Sequence, residues 1–325
     1  MSTTQTTHVY KVVGKLSLTV DLTLPPDFSE DDPLVLHFHG GFLLIGAKNT
    51  QPPTWLINAC HRRKWAYATP SYRLLPEASG LDMLSDSLDV TKWIYDNITK
   101  KILIAGSSAG GYLAFATAAL PQAPPLLSVL SVAGGLDFTA PRWVTPGHSI
   151  RPVSNLAEQL ASVDAAMETG DPIDGYLFPP DPATDKRIQW IPAIYKGAKF
   201  PHILTRIPGL AEQIDSQGVD VIPDSQRALF PLSFAITSKF PPTVFLHGDM
   251  DDIVEFEQSA RAADRLKQEG VEVLLGRVEG LGHGFELQQA VDVDADGSDQ
   301  PSFYPQFRQA IQFLERIVAS TSESA

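Results

Sequence analysis

Short apolar runs alternate with longer stretches of helical spacing along most of this chain. The apolar runs have the length of strands that are buried on both faces of a sheet. The stretches between them repeat apolar positions every three or four residues, as amphipathic helices do. Predicted strands cover 8–13, 15–24, 34–38, 65–70, 102–105, 126–132, 243–247 and 271–278, and predicted helices cover 53–64, 82–97, 112–120, 255–269 and 302–320. This alternation predicts an α/β fold with a doubly wound, mostly parallel central sheet.

The pattern changes between residues 139 and 238, where no apolar run continues the sheet. About half of the chain's 26 prolines fall there, together with aromatic residues in which disordered linkers are depleted. Helical spacing is present at 155–168, 182–197 and 223–228. We therefore expect a catalytic core formed by residues 1–138 and 239–325, with 139–238 as an inserted helical lid.

Composition and charge exclude several classes of partner. Hydrophobic residues make up 43% of the chain and charged residues 19%, as in globular proteins. No apolar run reaches the roughly 18 residues that a membrane span needs. The formal net charge of −13 disfavours nucleic acid and anionic membranes, because both would repel the protein. The N-terminus is polar, and the single cysteine, Cys60, cannot form an internal disulfide, so the expected compartment is the cytoplasm.

The strand at 102–105 leads into Gly106-Ser107-Ser108-Ala109-Gly110, which fits the pattern G-x-S-x-G. Its glycines allow a sharp turn that can hold Ser108 in a strained conformation with its hydroxyl exposed. The N-terminus of the following helix would lie beneath negative charge developing near Ser108. An ordinary glycine–serine loop is the alternative, but a strand before the turn and a helix after it favour a nucleophile.

A serine nucleophile needs a base that takes its proton and an acid that orients the base. In a sheet of this kind, the acid and then the base follow later strands. His283 lies between two glycines after the strand at 271–278, and we predict that it is the general base. Spacing leaves open which of three aspartates is the acid: Asp249, Asp251 or Asp252. Two of them, at 249 and 252, are otherwise expected as turn or helix-capping residues.

The strand at 34–38 ends in His39-Gly40-Gly41-Phe42, a loop suited to binding an oxyanion. Attack on an ester carbonyl creates negative charge on its oxygen, and flexible glycine backbone can point N–H groups at that charge. The residue after the nucleophile, Ala109, is expected to supply a further N–H.

Five motifs in this order resemble the signatures of the α/β-hydrolase fold and, more narrowly, of the hormone-sensitive-lipase-like esterases. They are His39-Gly40-Gly41, Tyr72-Arg73-Leu74-Leu75-Pro76-Glu77, Gly106-Ser107-Ser108-Ala109-Gly110-Gly111, His247-Gly248-x-x-Asp251 and Gly282-His283-Gly284-Phe285. The resemblance implies Ser108 as nucleophile, Asp251 as acid and His283 as base. It also implies structural roles, in ion pairs and caps that hold loops, for three further residues: Arg73, Glu77 and Asp137.

Phe42 departs from the family pattern, which usually has a third glycine or an alanine at this place. The matching oxyanion donors are then the N–H groups of Gly41 and Phe42, while Gly40 shapes the turn. The bulky side chain of Phe42 is expected to narrow or redirect the acyl pocket. Family members commonly carry part of the lid on an N-terminal extension, but strand signals here begin near His8, so residues 139–238 should supply almost all of it.

We expect a carboxylic ester hydrolase that forms an acyl-enzyme on Ser108 and takes a small-molecule substrate with a hydrophobic or medium-sized acyl or aryl group. No cofactor is expected, and the acidic run 291–296 lacks the terminal glutamate of a calcium loop. A thioesterase or acyltransferase acting on a polyketide-type product would use the same residues. A ligand-binding receptor on an inactive hydrolase scaffold is the third alternative, which the presence of His283 disfavours.

Overall fold

The computed structural model of the protein describes residues 4–288, 291–295 and 300–322. The strands are β1 (Thr4–Val13), β2 (Leu16–Leu24), β3 (Leu34–Phe38), β4 (Ala66–Pro70), β5 (Ile102–Ser107), β6 (Ser128–Val132), β7 (Thr243–Gly248) and β8 (Val273–Val278). The α-helices are α1 (Thr54–Arg63), α2 (Gly80–Asn97), α3 (Ala109–Ala118), α4 (Pro141–Val144), α5 (Leu156–Thr169), α6 (Lys186–Lys196), α7 (Phe200–Thr205), α8 (Leu210–Gln217), α9 (Pro231–Phe234), α10 (Phe256–Gln268), α11 (Phe285–Gln288) and α12 (Tyr304–Ser322). Two 3-10 helices, Val219–Val221 and Asp224–Leu229, lie between α8 and α9.

The described strands form one eight-stranded sheet in the order β1-β2-β4-β3-β5-β6-β7-β8. β2 is antiparallel to both of its neighbours, and the strands from β4 to β8 pair in parallel. Every residue of β3, β6 and β7 is buried, because helices cover both faces of a parallel sheet. The predicted doubly wound, mostly parallel α/β sheet is confirmed.

Two hydrophobic clusters lie on opposite faces of this sheet. Alternate residues of β3 divide between them: Leu34 and Leu36 belong to one cluster and Val35 to the other. Helices α2, α3 and α10 contribute to the first cluster, and α1 and α12 to the second. In the second cluster, the ring of Trp55 meets that of Phe307 edge to face, with centroids 4.5 Å apart. The parallel strands therefore end at one edge of a sheet that is held rigidly from both sides.

The segment between β6 and β7 contains short helices and adds no strand to the sheet. In the described part of the chain its only bridge joins Tyr176 to Gly46. The sequence prediction missed α4, α7, α8 and α9, three of which begin with a proline at the first or second helical position. Proline is compatible with the first turn of a helix, so these short helices are consistent with the proline content of the segment. The region predicted as a helix at 223–228 is a 3-10 helix.

This helical insertion is tied to the sheet by polar contacts as well as by its apolar residues. The hydroxyl of Tyr112 in α3 donates to the carbonyl of Leu229 at 2.9 Å, and that of Tyr195 in α6 donates to the carbonyl of Ile253 at 2.8 Å. Arg187 in α6 forms an ion pair with Glu77 and donates to the carbonyl of Leu75 at 2.9 Å. These contacts fix the insertion above the carboxyl ends of the strands.

The three residues that the resemblance assigned to structural roles do make ion pairs or caps. Arg73 forms an ion pair with the fully buried Asp86. Its Nε and Nη2 each donate a hydrogen bond of 2.8 Å to a carboxylate oxygen. Glu77 pairs with Arg187, as described above. Asp137 accepts a hydrogen bond from the N–H of Thr139 at 2.9 Å and pairs with an arginine of α10 at 3.0 Å.

We predict that Arg73→Met lowers the free energy of unfolding by about 3 kcal/mol, because the buried carboxylate of Asp86 loses its charge-assisted hydrogen bonds to Arg73 and keeps the ion pair with Lys11 at 2.7 Å. The matched control is Arg316→Met, which breaks the exposed pair with Glu272 and should cost less than about 1 kcal/mol. Urea denaturation of both variants measures the difference. Equal stabilities for the two variants would contradict this interpretation of the Arg73 ion pair.

Candidate active site

Ser108 occupies the tight turn between β5 and α3. Its backbone has φ 54° and ψ −119°, a strained conformation for a residue with a side chain. The N–H of Ser108 donates to the carbonyl of Val132 at 2.7 Å, which holds the turn. Gly110 must lack a Cβ, because one would lie 2.0 Å from the carbonyl oxygen of Phe38. α3 begins at Ala109, three residues earlier than predicted, so its N-terminus lies directly beside the serine.

The structure brings Ser108, His283 and Asp251 into one line of hydrogen-bond contacts. Nε2 of His283 lies 2.9 Å from the hydroxyl oxygen of Ser108. Nδ1 of the same ring lies 2.7 Å from Oδ2 of Asp251. The three residues come from the loops after β5, β7 and β8, which reach the same edge because these strands are parallel. An imidazole between a hydroxyl and a carboxylate can take a proton from the hydroxyl and have its charge stabilised.

Asp251 is the one of the three candidate aspartates that contacts His283. Asp249 instead bonds Arg277 and accepts from the N–H of Gly280 at 2.7 Å, so it links the loops after β7 and β8. Asp249 lies in a turn, as expected, and its side chain connects that turn to the next loop. Asp252 is exposed, and its backbone carbonyl accepts a hydrogen bond from Arg142.

His247 is a second histidine on the Asp251 carboxylate, and sequence reasoning did not assign it this contact. Its Nε2 lies 3.2 Å from Oδ2 of Asp251 and 2.9 Å from the carbonyl of Val254. Two acceptors around Nε2 place the proton there, so Nδ1 accepts from the hydroxyl of Ser259 at 2.7 Å. Oδ1 of the aspartate accepts from the N–H groups of Ile253 and Val254. Both oxygens are thus held, and the carboxylate is oriented toward His283.

These contacts shift the pKa values of the acid and the base in opposite directions. Burial by itself would raise the pKa of Asp251, but hydrogen bonds from His247 and His283 outweigh burial and lower it. Burial by itself would lower the pKa of His283, but the hydrogen bond and the charge of Asp251 outweigh burial and raise it. The carboxylate therefore remains ionised, and the imidazole is made a stronger base.

The loop from His39 to Phe42 lies against the turn that carries Ser108. A Cβ on Gly40 would lie 3.2 Å from Cβ of Ser108. Gly41 has φ +115°, and a Cβ there would lie 2.2 Å from the carbonyl oxygen of Ile45, so only glycine fits. In the described ranges no backbone carbonyl accepts from the N–H of Gly41 or Phe42. With Ala109 at the start of α3, these N–H groups are candidate oxyanion donors.

Neutral histidines and one tyrosine support this loop. The ring of His39 stacks on that of Tyr72 with centroids 4.4 Å apart, and its Nδ1–H donates to the carbonyl of Gly40 at 2.7 Å. The hydroxyl of Tyr72 donates to the carbonyl of His39 at 2.8 Å. Burial lowers the pKa of His39 to about 4 and that of His37 to about 3. Both histidines are therefore uncharged at neutral pH and do not compete with His283 for a proton.

Ser108 and His283 open into a cavity of about 890 Å³. The sheet side supplies the loop at 39–42 and Leu287, and the helical insertion supplies residues of 150–152, 178–183 and 188–192. Cavities of this volume accept ligands of the size of a typical drug or metabolite. The insertion thus forms the wall of the cavity that faces the candidate nucleophile.

The acidic run at 291–296 is not arranged as a metal site where the structure describes it. Asp292 pairs with Arg62, and Asp294 pairs with Arg63 at 2.7 Å. Asp296 lies outside the described residues. Among those that are described, no three histidine, cysteine or acidic side chains are grouped so that they could hold a metal ion. Cys60 is buried, and burial raises its pKa to about 12.

Models of known protein families identify the family to which this chain belongs. Residues 35–204, slightly more than half of the chain, match the family model described as alpha/beta hydrolase fold. The chain belongs to the alpha/beta hydrolase fold family. Residues 214–296 of this hydrolase also match the model of the prolyl oligopeptidase family.

Two kinds of relative are similar to this alpha/beta hydrolase. A non-reducing polyketide synthase of Aspergillus calidoustus is 25% identical over 88% of this chain, and one of Emericella nidulans is 25% identical over 89%. The chain spans only 13% of the length of each synthase. A probable carboxylesterase of Phoma sp. is 22% identical, with 72% of this chain and 73% of the relative aligned.

Solved structures share the fold of this hydrolase at low sequence identity. A Staphylococcus aureus protein of unknown function has a TM-score of 0.65 at 17% identity, covering 96% of this chain and 99% of its own. A bacterial heroin esterase has a TM-score of 0.63 at 18% identity, covering 98% and 84%. Esterase 2 of Thermogutta terrifontis, phosphoramylated by tabun, has a TM-score of 0.58 at 18% identity, covering 96% and 94%.

We predict that His283 titrates above pH 6.5, the ordinary value for histidine, and that Asp251→Asn moves this titration to lower pH. The substitution removes the charge that raises the pKa of His283. The ring must be neutral to accept a proton, so in the wild type this ability is lost as the pH falls through the raised pKa. NMR titration of the histidine rings measures the shift. Asp249→Asn is the matched control and should leave His283 unchanged; an equal effect of both variants would contradict the assignment of Asp251.

Proposed function

We propose that this alpha/beta hydrolase hydrolyses carboxylic esters through an acyl-enzyme on Ser108, with His283 as the base and Asp251 as the acid. The observation that carries the proposal is the pair of contacts of 2.9 and 2.7 Å that joins Ser108 through His283 to Asp251. Both distances lie within the range for hydrogen bonds between a nucleophile, its base and the acid.

These positions support each step of the proposed reaction. Nε2 of His283 takes the proton of Ser108 as the hydroxyl oxygen attacks the ester carbonyl, and Asp251 stabilises the imidazolium. The imidazolium then protonates the departing alcohol. His283 next removes a proton from water, which attacks the acyl-enzyme and releases the acid.

The oxyanion is assigned to backbone donors beside the serine. We propose the N–H groups of Gly41, Phe42 and Ala109 as donors, while Gly40 fixes the approach of the loop to Ser108. The positive φ values of Gly41 and Phe42, 115° and 58°, support a turned loop rather than an extension of β3. One such donor typically contributes a factor of roughly 10²–10³ to the rate.

The walls of the cavity support the proposed substrate class. Its isoleucines, prolines and Phe42 favour a small-molecule ester with a hydrophobic or aryl part. We also propose that residues 139–238 act as a lid, with 1–138 and 239–325 as the catalytic core. The wall that the insertion contributes to the cavity supports this division. No described helix is long and apolar enough to cross a membrane.

Thioester cleavage or acyl transfer is the second candidate function. The polyketide synthases that align with this chain over most of its length favour it, because such relatives carry a similar segment inside a much longer protein. Esters and thioesters pass through the same kind of tetrahedral intermediate, so the proposed residues would serve both. A receptor on an inactive scaffold would not need a histidine within 2.9 Å of the serine hydroxyl, so we rank it third.

We predict that a fluorophosphonate labels Ser108 and that Ser108→Ala abolishes both labelling and hydrolysis of 4-nitrophenyl esters. Loss of the nucleophile should lower kcat by about 10⁴-fold or more. Ser107→Ala is the matched control, since Ser107 also lines the cavity but its hydroxyl lies 3.4 Å from His37. Intact-mass spectrometry and steady-state kinetics supply the readouts. Unchanged hydrolysis in the Ser108 variant would refute the proposal.

We predict that phenyl and thiophenyl esters of the same acid are both hydrolysed. The kcat/KM value for the phenyl ester should be no more than about tenfold lower than the value for the thiophenyl ester. The two substrates differ in the leaving atom alone, and the acyl-enzyme that they form is identical. Turnover of the thiophenyl ester without turnover of the phenyl ester would instead select the thioesterase function.

A further inference from the structure

Two spaces of very different size meet at Ser108. The wide cavity has a volume of about 890 Å³. A second pocket, also lined by Ser108, has a volume of about 20 Å³. Phe42 and Ser108 line both spaces, so the side chain of Phe42 is positioned to separate them.

The small pocket has walls that resist expansion. They include Phe138, Trp143 and Phe200, whose side chains are 2–4% exposed. Their ring centroids lie 4.5 to 5.0 Å apart, so each ring supports the others. A volume of about 20 Å³ exceeds the roughly 10–15 Å³ needed for a single water molecule by only a little. The pocket therefore accommodates a methyl group but not an alkyl chain.

The position of the base decides which part of an ester enters which space. The leaving oxygen must receive its proton from His283, so it must lie next to that ring. Within the described residues, His283 lines the wide cavity and is absent from the lining of the small pocket. The acyl group lies on the opposite side of the reacting carbon from the leaving group. That side is the small pocket, which is lined by Ser108 and Ala109.

We propose that the enzyme is selective for esters that combine an acetyl-sized acyl group with a bulky leaving group, and that Phe42 sets the acyl limit. This inference rests on the proposed ester hydrolysis and narrows its substrate class. The hydrophobic part of the substrate is the alcohol or phenol, which occupies the wide cavity. A thioesterase that releases a large acyl chain would need the opposite arrangement.

The reaction proposed for such a substrate balances without a co-reactant other than water. The Ser108 oxygen forms a bond to the acetyl carbon, the bond from that carbon to the leaving oxygen breaks, and His283 carries the proton from serine to the leaving oxygen. His283 then takes a proton from water as the water oxygen bonds to the acetyl carbon, the bond from that carbon to the Ser108 oxygen breaks, and His283 returns the proton to the serine oxygen. The products are acetate and the bulky alcohol.

The test is the ratio of kcat/KM values along a series of 4-nitrophenyl esters: acetate, propionate, butyrate and hexanoate. The leaving group is constant, so the series measures the acyl side alone. We expect a loss of about 10-fold or more between acetate and butyrate, because inserted methylenes must displace packed rings. A second series of acetates, from methyl to phenyl to 2-naphthyl, varies the leaving group, and its larger members should be accepted.

Three variants test the contributions of the small pocket and the wide cavity separately. Phe42→Ala removes the wall and should raise the butyrate-to-acetate ratio by about 10-fold, whatever its effect on the absolute rate. Gly135→Ala adds a methyl group to the small pocket, 3.4 Å from the ring of Phe138, and should lower the propionate-to-acetate ratio. Leu287→Ala is the matched control, since Leu287 lines the wide cavity only, and should leave the acyl ratios unchanged.

The outcomes distinguish this inference from the function on which it rests. Fluorophosphonate labelling of Ser108 with equal kcat/KM for acetate and hexanoate would overturn the acyl limit and leave ester hydrolysis standing. Unchanged acyl ratios in both Phe42→Ala and Gly135→Ala would also overturn the acyl limit and leave ester hydrolysis standing. Absence of labelling at Ser108, with no turnover of any ester, would overturn the proposed function and this inference together.

Discussion

One imidazole, held between a hydroxyl and a carboxylate, is the constraint on which the site depends. His283 can contact Ser108 and Asp251 at 2.9 and 2.7 Å only because three parallel strands end at the same edge of the sheet. The second histidine, His247, and two backbone N–H groups fix the carboxylate from behind. The fold thus orients the hydroxyl, the imidazole and the carboxylate. The buried, ionised Asp251 raises the basicity of the His283 ring.

Much of the fold and part of the site could be predicted from the sequence because they depend on local patterns. Buried strands and amphipathic helices have characteristic apolar spacing, so the parallel sheet was predicted correctly. Ser108 and His283 stand out because glycines flank them at the ends of strands. Spacing could not choose among three aspartates after β7, since the choice depends on how that loop folds back. The family resemblance strengthened the case for Asp251.

Other features depend on packing that a sequence does not encode locally. The contact of His247 with Asp251 requires the loop after β7 to return over the end of its own strand, although a histidine ending a buried strand could have signalled a polar partner. Three short helices of the insertion have a proline at the first or second position, and proline is also a common local signal of turns. The sequence indicated that Phe42 is unusual, but the volumes of the spaces on its two sides follow only from the positions of distant rings.

The most direct test of the account is a crystal structure of the enzyme after reaction with a methylphosphonate ester, which mimics the tetrahedral intermediate. The account predicts a covalent bond from the phosphorus to the Ser108 oxygen and a phosphoryl oxygen about 2.7–3.1 Å from the N–H nitrogens of Phe42 and Ala109. His283 should remain within hydrogen-bond distance of the serine oxygen. An adduct on any other residue, or a phosphoryl oxygen turned away from both nitrogens, would contradict it.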